Sequence, residues 1–142
     1  MRFAAPAWDK TEETNHPSQY MLGGTGGRFN LSYYVEPPSC AGGTSNDALY
    51  ACYQDALRRN PMVVASTVRA NALAKGVAVM YMVQAESGGR KVTQFNVNVL
   101  FAHAGKQGDL HVSYVAPQPE DIATLIKLAE SLDIIDIAPA AR

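Results

Sequence analysis

Apolar and polar residues alternate with two different periods along this chain, and the changeovers predict its elements. Phe29, Leu31, Tyr33 and Val35 alternate with Asn30, Ser32, Tyr34 and Glu36, the period of two that marks a half-buried strand. From Ala48 to Arg59 the spacing becomes three and four. Leu49, Cys52, Tyr53, Ala56 and Leu57 form one stripe and Gln54, Asp55, Arg58 and Arg59 oppose it, so the segment predicts a helix with Cys52 facing inward. Ser45 or Asn46 caps its start and Asn60-Pro61 ends it.

Beyond Pro61 the strand period returns. Met62 to Ala70 is rich in Val and Thr, Gly76 to Ala85 is almost continuously apolar, and Thr93 to His103 alternates Phe95, Val97, Val99 and Phe101 with Asn96 and Asn98. Apolar residues occupy both parities from Val77 to Val83, which predicts a central strand covered on both faces. Ser87-Gly88-Gly89-Arg90 and Ala104 to Gly108 read as hairpin connections, the second leading into a strand from Leu110 to Ala116, so consecutive strands pair antiparallel. Pro119-Glu120-Asp121 opens a closing helix whose buried stripe is Ile122, Leu125, Ile126, Ala129 and Leu132. Before Phe29 the pattern is weaker. It suggests a short extended piece at Arg2 to Ala5, a polar stretch, a strand at Gln19 to Leu22 and a turn at Gly23-Gly24-Thr25-Gly26-Gly27. The fold class expected is α+β: a single antiparallel sheet flanked by two main helices in one domain over residues 1–142, with 138–142 a frayed tail.

The chain's 142 residues, 47% hydrophobic and 18% charged, support one packed core rather than a disordered segment. A net charge of -1 gives no basic field for phosphate backbones, so nucleic acid is not an expected partner. The longest apolar runs, Val77 to Val83 and Val97 to Ala102, fall well short of the roughly 20 residues of a spanning helix.

Two cysteines change the picture. Cys40 lies in a Pro/Gly-rich loop that can fold back onto Cys52, and a disulfide there would stabilise the fold by about 3 kcal/mol. It would also place the chain in an oxidising compartment, periplasmic or secreted, with the signal segment outside this sequence; free thiols would instead indicate the cytoplasm. His103, Asp109 and His111 flank one hairpin turn and form a conceivable metal set, although alternation along strands argues for His111 as a polar residue on a solvent-facing edge. Ser113 lacks the strained Gly-x-Ser-x-Gly turn of a serine nucleophile, and the glycines at 23–27 lack the Gly-Lys-Ser/Thr of a phosphate loop. No cofactor is implied. Tyr33, Tyr53 and Tyr81 lie on apolar stripes and read as core, whereas Tyr34 and Tyr50 lie on polar positions beside the loop containing Pro38. Tyr34, Pro38 and Tyr50 are therefore the expected partner contacts.

The strings Phe3-Ala4-Ala5-Pro6-Ala7-Trp8, Phe29-Asn30-Leu31-Ser32-Tyr33-Tyr34-Val35 and Leu110-His111-Val112-Ser113-Tyr114, followed by Ile122 to Leu132 and Ser131-Leu132-Asp133-Ile134, give a layout that resembles the PsbP-like superfamily. That superfamily includes PsbP, the Ran-binding Mog family and DcrB-type bacterial envelope proteins. The resemblance implies a mainly non-catalytic fold that binds other proteins, and it carries over no functional residue. The function expected is thus a non-catalytic envelope or secreted bacterial protein that binds another protein, such as an inhibitor or immunity protein against a secreted toxin. The alternatives are a carrier of a small apolar ligand lined by Met80 and Met82, and a metal-dependent hydrolase using His103 and His111.

Overall fold

Seven strands in one antiparallel sheet, with a helix on each face, are seen in the computed structural model, which describes residues 9–16, 19–26, 29–36 and 45–135. The strands are β1 (Lys10–His16), β2 (Gln19–Gly26), β3 (Phe29–Glu36), β4 (Arg69–Leu73), β5 (Gly76–Ser87), β6 (Arg90–His103) and β7 (Lys106–Val115). The helices are α1 (Asn46–Arg59) and α2 (Pro119–Glu130). The strand order is β1-β2-β3-β7-β6-β5-β4, every neighbouring pair antiparallel. The α+β class and the antiparallel sheet agree with the sequence reading.

Two separate cores result from strict alternation. On one face Phe95, Val97, Val99 and Phe101 of β6, Leu110 and Val112 of β7 and Ala78 of β5 pack under Leu125, Leu128 and Ala129 of α2. On the other, Val79 and Tyr81 of β5 and Leu100 of β6 pack under Leu49 and Leu57 of α1. β5 supplies both cores, as its two-parity apolar run predicts, yet it lies next to the edge, and β7 occupies the middle of the sheet. The reason is topological: β3 reaches back to pair with β7, which moves the centre away from β5.

Several expectations are corrected. The polar stretch Lys10–His16 is a strand, exposed at all seven positions, so neither face leaves an apolar signature. Gly23, Gly24 and Gly26 continue β2 rather than turning, each paired with both β1 and β3 or with β3 alone. Met62 to Ala70 is not one strand. It begins with a bridge between Val63 and Val83, passes through a 3-10 turn at Ala65–Thr67, and enters β4 only at Arg69.

α1 starts where Ser45 accepts a hydrogen bond from the Ala48 N–H at 3.1 Å, the capping expected. Its rotation differs from the predicted stripe. Leu49, Tyr50, Tyr53 and Leu57 meet the sheet, Asn46 Oδ1 accepts the Ala102 N–H at 2.7 Å, and Cys52 and Ala56 face outward. The larger bodies of Tyr50 and Tyr53 outweigh Cys52 and Ala56 in deciding which face is buried. Cys52 is not a free thiol; Cys40, Pro38, the Arg2 to Ala5 piece and the 138–142 tail lie outside the described residues. α2 begins at Pro119, where Asp121 accepts from the Gln118 N–H at 2.8 Å. Among the described residues, no helix is long and apolar enough to cross a membrane.

Candidate functional site

On the α1 side, the middle of the sheet is polar. Three cross-strand rows traverse this face. One runs Lys10, Thr25, Asn30, Ser113, Asn96, Tyr81; the next runs Glu12, Gly23, Ser32, His111, Asn98, Val79; the third runs Thr14, Met21, Tyr34, Asp109, Leu100, Val77. α1 covers the β5–β6 end and leaves the β1–β3 end to a cleft of about 510 Å³.

Under the edge of α1 the polar groups are joined in a chain. Tyr81 donates its hydroxyl to Asn98 Oδ1 at 3.2 Å, so the 3.0 Å contact between the Tyr53 and Tyr81 hydroxyls runs from Tyr53. Asn98 Nδ2 then donates to both Asp109 oxygens, at 2.9 and 3.0 Å. Burial raises the Tyr53 phenol far above its usual range, and the nearby Tyr81 and Asp109 add to the shift. Tyr81 is also raised, mainly by burial. Both phenols therefore stay neutral donors, and Asp109 is the acceptor at the end of the chain.

A second pair sits beside it. Asn96 Nδ2 donates to the Gln94 carbonyl at 3.2 Å, which turns Oδ1 toward His111 Nε2 at 2.9 Å. The imidazole must donate in that bond, so it carries its proton on Nε2. Burial lowers its pKa below the ordinary 6.5, favouring this neutral form.

The cleft is bounded by Lys10 and Glu12 on β1, Thr25 on β2, Asn30 on β3, and His111 and Ser113 on β7, with Gln94 of β6 and the glycines at 23 and 24 completing it. Lys10 and Glu12 pair with each other at 2.6 Å, which raises the lysine pKa and lowers the glutamate pKa through that bond. Ser113 is 1% exposed.

The proposed metal set is dispersed. Asp109 and His111 share the α1 face, but His103 is exposed at the far end of β6 on the opposite face, and no group of three His, Cys, Asp or Glu among the described residues could hold a metal. His111 lies half-buried on the central strand, not on a solvent-facing edge, because β3 pairs with β7 and covers that edge. Tyr34 is half-buried on the same face as Asp109, while Tyr50 packs its ring against the α1-side core and accepts a hydrogen bond from Gln54 Nε2 at 2.6 Å. Met80 and Met82 pack against the α2-side core, and Met80 borders a cavity of about 240 Å³ beneath α2. Sequence reasoning missed Asn30, Gln94, Asn96 and Asn98. The available signal was the run of amides on the polar parity of two strands, which read as ordinary solvent-facing alternation. No protein-family model matches this chain, and no curated protein matches it.

Proposed function

We propose that the chain is a non-catalytic binding domain that recognises another protein. The observation carrying this reading is the division of labour on the polar face. Groups with catalytic potential, His111, Asp109, Tyr53 and Tyr81, are engaged with one another or with neighbouring amides, whereas Thr25, Asn30 and Gln94 line the cleft beside the Lys10–Glu12 ion pair.

The partner-contact residues of this reading are Tyr34, Pro38 and Tyr50. Tyr34 continues the cleft face by one row, and the Tyr50 ring is held by its packing and by Gln54, so both present aromatic surface at low entropic cost. A Cys40–Cys52 disulfide would fix the loop containing Pro38 onto the outer face of α1, and the outward position of Cys52 suits that bond better than the inward one expected from the stripe. With that disulfide the setting is periplasmic or secreted, and an inhibitor or immunity protein of PsbP-like architecture is the specific form proposed.

The test is affinity capture on the oxidised chain followed by calorimetry with the purified partner. Tyr34→Ala should weaken binding by about 1–2 kcal/mol, as for an interface anchor. Unchanged affinity in a chain carrying Tyr34→Ala, Pro38→Ala and Tyr50→Ala together would reject this surface, and hydrolytic turnover abolished by His111→Ala would reject the non-catalytic assignment.

A further inference from the structure

We draw no further inference here: the strongest candidate, the cavity of about 300 Å³ between the C-terminal end of α1 and the segment leading into β4, where Leu57, Val63 and Val68 lie beside Arg58, is an apolar surface for which nothing in the structure shows what covers it.

Discussion

His111 shows how burial turns a surface-type residue into a structural one. Its Nε2 donates to Asn96, and the desolvation that favours the neutral ring sets a pH dependence. The unfolded chain takes up a proton near pH 6.5 where the folded chain resists, so this contribution to stability is intact above that pH and is lost as the pH falls toward the lower folded value. Urea midpoints measured from about pH 7.5 to 5 should decline, and His111→Gln, which keeps an N–H donor, should decline less. An equal slope in both chains would contradict this account. Neither burial nor partner was legible from the sequence, because alternation in β7 and β6 separates two faces without saying which is wet. Asn96 and Asn98 are 3% exposed each, although their parity looked like the solvent side.

At the level of the element, close packing decides where glycine is required. Gly108 of β7 lies opposite Phe101 of β6, and a Cβ there would come within 2.1 Å of Phe101 Cζ, a ring that is itself buried. Gly108→Ala should therefore destabilise by about 1–3 kcal/mol in chemical denaturation, and a second change, Phe101→Leu, should recover part of the loss. The sequence offered Gly108 only as part of a turn. That turn is shorter than expected: Ala104 and Gly105 take positive φ of 49° and 75°, and β7 begins at Lys106. The two strongly periodic strands and both helices were legible because each buries one stripe on one partner. β1 was not, since its stability comes from backbone pairing with β2 while its side chains stay in solvent.

For the molecule as a whole, one sheet serves two cores, one under each helix. The proposed Cys40–Cys52 bond would constrain the connection between β3 and α1 chiefly in the unfolded chain. Alkylation without reductant should leave the intact mass unlabelled, and reduction should lower stability by about 3 kcal/mol. Two labelled thiols in oxidised, folded protein would refute the bond and with it the argument for an oxidising compartment.

Local periodicity sufficed for the α+β class, the antiparallel hairpins β5–β6 and β6–β7, the cap at Ser45 and the acidic start of α2, since each depends on neighbours within a few residues. The tertiary structure alone decided the pairing of β3 with β7, the rotation of α1 that turned Cys52 outward, and the separation of His103 from Asp109 and His111. Those outcomes depend on contacts between residues distant in the chain. Register carries a side chain from one face of a sheet to the other with a single-residue shift, and competition among large side chains for a limited buried area sets how a helix lies. The polar cleft belongs to the second group, because it exists only where three strands from the first part of the chain meet one from the last.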